Sequence, residues 1–176
     1  AEELEAAKAK LDALTHELDM VLVDTGSGVS DAVTYFASAA QEIIVVVTPE
    51  PSSLTEGYAL IEALASTRRE KRFRILTNQV ADAAEAHRLF ATLSESALRF
   101  LNASSDLLGW IPSDSELARA AARRQTVIGN AAQAPSARAI GALAERLIAS
   151  AAAGIKIKGN LQFFLRRMLE DARAEV

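Results

Sequence analysis

The hydrophobic positions of this chain follow two patterns that alternate along its length. Four short, nearly unbroken apolar runs, at residues 20–24 (MVLVD), 43–48 (IIVVVT), 73–78 (FRILTN) and 107–111 (LLGWI), predict β-strands. The first two are so rich in Val and Ile that they read as strands buried on both faces of a parallel sheet. Elsewhere apolar residues recur at helical spacing, and helices are predicted over residues 2–16, 31–40, 53–66, 82–101, 113–124, 136–153 and 161–174. The helix at 53–66 opens on Ser53-Leu-Thr-Glu56, the pattern of a capping box. Strand–helix alternation with short connections predicts right-handed crossovers and an α/β fold, a mostly parallel sheet flanked by helices. Residues 1–153 form the predicted domain, 154–160 a linker, and 161–174 a separate amphipathic helix. No internal repeat is visible.

Composition narrows the chemistry. Among 176 residues, 36 are Ala, which favours helix, and 50% are hydrophobic, enough for a sizeable core. A net charge of -4 excludes a basic nucleic-acid platform over the whole surface, so no direct nucleic-acid partner is expected. With no Cys, a disulfide framework, a thiolate metal site and a cysteine nucleophile are all excluded. Two histidines far apart, His16 and His87, do not suggest a metal site. No run approaches the ~18 apolar residues of a spanning helix.

Ligands on parallel sheets bind at the carboxyl ends of the strands. Those ends read Asp24-Thr-Gly-Ser-Gly28, Thr48-Pro-Glu-Pro-Ser52, Thr77-Asn-Gln79 and Ile111-Pro-Ser-Asp114. Pro and Gly punctuate ordinary loops as well, but four such loops on one edge weaken that explanation. A dinucleotide fingerprint fits the first loop poorly. Its third glycine position is Asp31, and the Asp24 carboxylate would face a pyrophosphate. A strand-terminal Asp suits a Mg²⁺ shell beside nucleotide phosphates better, with Gly26 and Gly28 as hinges of a switching loop.

Val21-Leu-Val-Asp-Thr-Gly-Ser-Gly-Val-Ser30 resembles the second acidic motif and switch loop of MinD/ParA-type P-loop ATPases. Val45-Val-Val-Thr-Pro-Glu-Pro-Ser-Ser-Leu-Thr55, Thr77-Asn-Gln-Val80, Phe100-Leu101, Gly109-x-Ile-Pro-x-Asp114 and Gln162-Phe-Phe164 resemble its flagellar-number regulator branch (FlhG/FleN-like), in order and over essentially the whole chain. The resemblance implies a MinD-like P-loop NTPase fold and ATP or ADP with Mg²⁺ as cofactors of the intact protein. It makes Asp24 the metal-associated carboxylate and Gly26 and Gly28 the switch hinges. Asn78 would contact the adenine edge, Pro112 and Asp114 would line the adenine loop, and Pro49 and Glu50 would sit beside the nucleotide and dimer surface. Two structural alternatives stay open: Asn78 capping a strand, and Asp114 capping a helix. The resemblance further implies an ATP-bound homodimer, partners among flagellar assembly proteins or transcriptional regulators, and a cytoplasmic protein held peripherally at the inner face of the cell membrane.

One departure is large. The family's phosphate loop ends in Gly-Lys-Thr or Gly-Lys-Ser, and neither occurs here. The expectation is therefore the C-terminal portion of an ATPase, with no catalytic residue in this chain, inactive by itself. The acidic, mid-helix start at Ala1 favours a fragment over a natural degenerate relative. The alternative of another class is a non-enzymatic protein-interaction module with a degenerate nucleotide site.

In the last helix Leu161, Phe164, Leu165, Met168 and Leu169 form one apolar stripe, with Arg166, Arg167 and Arg173 outside it. It reads either as an amphipathic helix for an anionic membrane surface, which the resemblance supports, or as a helix packed on the protein. The run Arg68-Arg-Glu-Lys-Arg72 reads as a solvated turn or as a small partner or lipid patch. Trp110 is expected in the core, and His87 on a solvated helix face.

Overall fold

The computed structural model describes residues 20–152. The predicted helices at 2–16 and 161–174 and the linker at 154–160 lie outside these residues. Within them the order is α1 (Asp31–Ala39), β1 (Ile44–Val47), α2 (Pro51–Thr67), β2 (Arg72–Val80), α3 (Ala83–Leu101), β3 (Ser104–Pro112), α4 (Ser115–Ala122), α5 (Val127–Asn130) and α6 (Pro135–Ala152). The three strands form one all-parallel sheet in the order β1-β2-β3. This is the α/β architecture expected of a P-loop NTPase-like fold.

Alternation along β2 explains the two layers. Phe73, Ile75 and Thr77 are buried on one face, with Arg74, Leu76 and Asn78 on the other. On the first face Val45, Val47, Phe73 and Ile75 pack with Ile61 and Leu64 of α2 and Leu93 and Ala97 of α3. On the second, Leu108, Ile111 and Leu143 form a smaller cluster joined by Ile44, Leu76, Ile140 and Leu147, so α6 covers β3 and reaches back across β2. Arg146 of α6 donates to the Leu108 carbonyl at 2.9 Å. Near the end of α6, the Ser150 hydroxyl lies 3.5 Å from Arg74, whose main partner is Glu42 at 2.9 Å.

Helix boundaries follow their capping chemistry. Ser30 accepts from the Val33 amide, and Asp82 from the Glu85 amide at 2.8 Å. Asn102 ends α3 in the left-handed conformation that Asn tolerates better than most residues.

Three expectations fail. Residues 20–24 form no strand, and Leu22 is 76% exposed. A strand needs a ladder, and no described strand pairs with this run; its apolarity alone cannot create one. β1 is not covered on both faces: Val46 is 52% exposed, because α6 reaches Ile44 but not Val46. Lastly, the capping box at Ser53 and Glu56 does not form. Pro51 occupies the first helical position and starts α2 two residues earlier, with Glu50 as N-cap. Ser53 is then inside the helix, where its hydroxyl accepts the Thr48 amide at 3.0 Å. The helix predicted at 113–124 is also shorter, Ser115–Ala122, with Arg123 as its C-cap and Arg124 left-handed at φ 56°.

Candidate functional site

Because the strands are parallel, the three loops leaving their carboxyl ends share one edge. Register sets Val47 beside Thr77, Asn78 beside Ile111 and Val80 beside Pro112. Pro49, Glu50, Asn78, Pro112 and Asp114 are thereby gathered at that edge.

The β1 loop is short and taut. The Glu50 carbonyl accepts the Ser53 amide at 3.0 Å, and the Thr48 amide is held by Ser53. Glu50 makes no side-chain cap bond and is exposed, so its carboxylate is uncommitted to the helix.

The β2 end is irregular. Its pairing with β3 shifts between Asn78 and Val80, and Gln79 adopts φ 58°. A left-handed conformation costs an ordinary L-residue roughly 1–2 kcal/mol. It is fixed here by the Asn78 side chain, whose Oδ1 accepts the Gln79 amide at 2.9 Å. That bond orients the carboxamide and leaves its NH₂ donors unengaged among the described residues. Directly before it, Thr77 is fully buried, and its hydroxyl has no partner among the described residues.

The β3 end is tied down. The Ser113 amide donates to the Val80 carbonyl at 2.8 Å. Asp114 caps α4 through the Glu116 amide at 2.9 Å, while its second oxygen accepts both the Ser136 amide at 3.0 Å and the Ser136 hydroxyl at 2.8 Å. Those bonds from Ser136, followed by the Glu116 amide, hold the Asp114 carboxyl below its ordinary value. The carboxylate thus clasps the starts of α4 and α6, the helix-cap alternative raised from sequence. Any lining of a base pocket by this residue falls to its place in the loop rather than to its oxygens.

Asp24, Gly26 and Gly28 are not drawn into this cluster by any bond. Residues 20–29 make no hydrogen bond among the described residues, and the first anchor is Ser30. Gly28 has φ 91°, open to glycine without strain, and a side chain at Gly26 would meet nothing within 4 Å.

Sequence reasoning placed Thr77 and Gln79 in a strand-end motif without giving either a role, and did not single out Ser136. Nothing local pairs Ser136 with an aspartate 22 positions away. The left-handed turn at Gln79 had no signal beyond its place in that motif at the end of a strand.

For a nucleotide and Mg²⁺ the fit is partial. The edge offers an oriented amide for a base, and Asp24 offers a carboxylate. Among the described residues no group of three His, Cys, Asp or Glu could hold a metal. Mg²⁺ is commonly held by one or two carboxylates with water and phosphate oxygens, a site that needs no such group. The phosphate cradle has no counterpart in this chain, so no hydrolytic step follows from its residues.

No family model matches the chain. It is 33% identical over 157 residues to the antiactivator FleN of Pseudomonas aeruginosa, across 89% of this chain and 56% of that protein. It is 30% identical, also over 157 residues, to the flagellum site-determining protein YlxH of Helicobacter pylori, across 87% of this chain and 52% of that protein. The chain thus spans about half the length of the curated relatives it matches. Its motifs, its parallel α/β sheet and these two likenesses agree: the chain belongs to the flagellar-number regulator (FlhG/FleN-like) branch of the MinD/ParA-type family.

Proposed function

We propose that this chain is part of a MinD-like ATPase that regulates flagellar number or placement through an ATP-dependent dimerisation and membrane switch. The observation that carries the reading is the convergence of Pro49-Glu50, Asn78 and Pro112 on one strand edge, in the order of the family's motifs. Asn78 would offer its free NH₂ donors to the base. Asp24 would hold the water shell of Mg²⁺, which when bound would neutralise phosphate charge. Gly26 and Gly28 would let the loop order or loosen with the nucleotide, and the Glu50 loop would face a second subunit. An antiactivator among the relatives supports a transcriptional regulator as partner. The stripe from Leu161 to Leu169 would attach the dimer to an anionic leaflet on the cytoplasmic side.

The test is Asp24→Asn in the full-length protein. Steady-state hydrolysis of Mg²⁺-ATP should fall strongly, and nucleotide binding by calorimetry should fall much less. Unchanged hydrolysis would remove Asp24 from the site.

A further inference from the structure

The opposite edge of the sheet carries a cluster that the nucleotide reading does not use. We infer that it is a docking surface for an acidic protein segment bearing at least one large apolar side chain.

Here the ends of α2 and α3 meet the starts of β2 and β3. Arg68 caps α2, and Arg69 turns the chain in the left-handed conformation, φ 58°. The Lys71 carbonyl accepts both the amide and the hydroxyl of Ser104, at 2.8 and 3.1 Å. The Lys71 ammonium reaches the Leu101 carbonyl at 2.7 Å, and Arg72 pairs with Ser104 in register. These bonds bring the basic run against the end of α3. There Arg99 stacks on Phe100 at 5.2 Å, and Phe100 is 67% exposed.

Charge identifies the occupant. A chain of net charge -4 places Arg68, Arg69, Lys71 and Arg72, with the buried Glu70 the one acid among them, against the end of α3 that carries Arg99. The carbonyls at a helix end attract cations, which accounts for Lys71, for Arg68 at the end of α2 and for Arg99 in the last turn of α3, but not for Arg69 and Arg72. The four guanidinium groups make no ion pair or hydrogen bond among the described residues. Guanidinium forks match carboxylates in bidentate geometry, and Arg with an exposed aromatic is the residue pair enriched where proteins dock. A single exposed ring offers too little apolar area for the interfacial burial a bilayer needs. The acidic remainder of the surface opposes a long phosphate polyanion. A short acidic segment can match the local cations, set an apolar side chain against Phe100, and avoid the rest.

The surface lies about 25–30 Å from the strand-end loops, the length of the nine-residue β2. Its failure would therefore leave the nucleotide reading standing.

The test is selection of a displayed library of peptides about twelve residues long on the full-length protein. Enriched peptides are then measured by fluorescence anisotropy against wild type, Arg69→Glu/Arg72→Glu and Phe100→Ser. All three positions are exposed, so the variants should melt with wild type. If the double variant is unfolded, Arg72→Glu alone takes its place. Enriched peptides should be rich in Asp and Glu with Leu, Ile or Phe, and bind more weakly as salt rises. Rim charges are individually weak, but two reversals remove two attractions and add two repulsions, so affinity should drop about tenfold or more. Phe100→Ser should weaken binding, and should no longer do so once the peptide's apolar residue is replaced by Ser. No enrichment, peptides lacking this chemistry, or equal affinity for the double variant would overturn the inference. So would arginine-dependent binding only of phosphatidylglycerol vesicles or only of duplex DNA.

Discussion

Gly57 sits where α2 crosses β1, and a methyl group placed on it would lie 2.8 Å from Val47 Cγ1 and 3.5 Å from Val45 Cγ1. Carbon atoms in contact prefer about 3.5–4.0 Å. Val47 is fully buried and β-branched, so it cannot turn aside cheaply. For Gly57→Ala two effects oppose. Ala is the better helix former by about 1 kcal/mol, and overpacking a core costs roughly 1–3 kcal/mol. The expected net is a loss of about 0–2 kcal/mol. The decisive comparison is the same substitution in a Val47→Ala background. That change alone should cost about 2–3 kcal/mol in lost burial and cavity. With the Val47 methyls gone, Gly57→Ala should become stabilising by about 1 kcal/mol, a coupling of roughly 1–3 kcal/mol between the two sites. Urea unfolding of the four proteins, followed by circular dichroism, measures each corner of the cycle. If Gly57→Ala changes stability equally in both backgrounds, the close approach of α2 to β1 is not what holds Gly at this position. The contact matters for function because α2 begins at Pro51, and a helix pushed off the sheet would carry the Thr48–Glu50 loop with it.

The remaining predictions concern pH and membrane attachment. Since Asp114 is held below its ordinary value near 3.8, its clasp contributes stability above that value and loses it as pH falls through the depressed one. Urea midpoints of wild type should therefore decline on acidification below about pH 4, and Asp114→Asn should flatten that decline; parallel curves would show that the carboxylate charge is immaterial to the clasp. For the tail, liposome co-sedimentation should show wild type pelleting with anionic vesicles, more so with ATP than without, while Phe164→Glu stays in the supernatant. Equal pelleting, or none in either nucleotide state, would remove the membrane role from residues 161–169.

The central strands were legible because Val and Ile runs bounded by Pro, Gly and Asn report both the strand and its end. Asp82 likewise marked the start of α3, since its side chain serves the amide three residues on whatever the tertiary context. Residues 20–24 misled for a physical reason. Hydrophobicity records that a segment is suited to burial, but not which neighbour supplies the ladder. Ser53 misled because two local rules competed, and Pro51, with its fixed φ and missing amide, won. The candidate site was readable as positions at a strand edge. It was not readable as bonds. That Asp114 would spend its oxygens on Ser136, and that Asn78 would turn toward its own successor, depends on contacts that no spacing encodes.

The strand order runs one way. With α1 packed on α2, and α2 and α3 both on the face of Val45 and Phe73, every right-handed step moves the chain in the same direction across the sheet. No reversal occurs between the described strands, and a reversal is where the loops of a parallel sheet part to open a crevice. Counted from the β1 loop, the Asn78 turn lies about 5 Å across the edge and the Pro112 loop about 10 Å across, at ordinary strand spacing. A ligand laid along this edge is measured along its length, one end at β1 and the other at β3. An elongated molecule with a charged end and a flat hydrogen-bonding end would be held in one direction only, so topology sets polarity of binding before any single residue sets affinity.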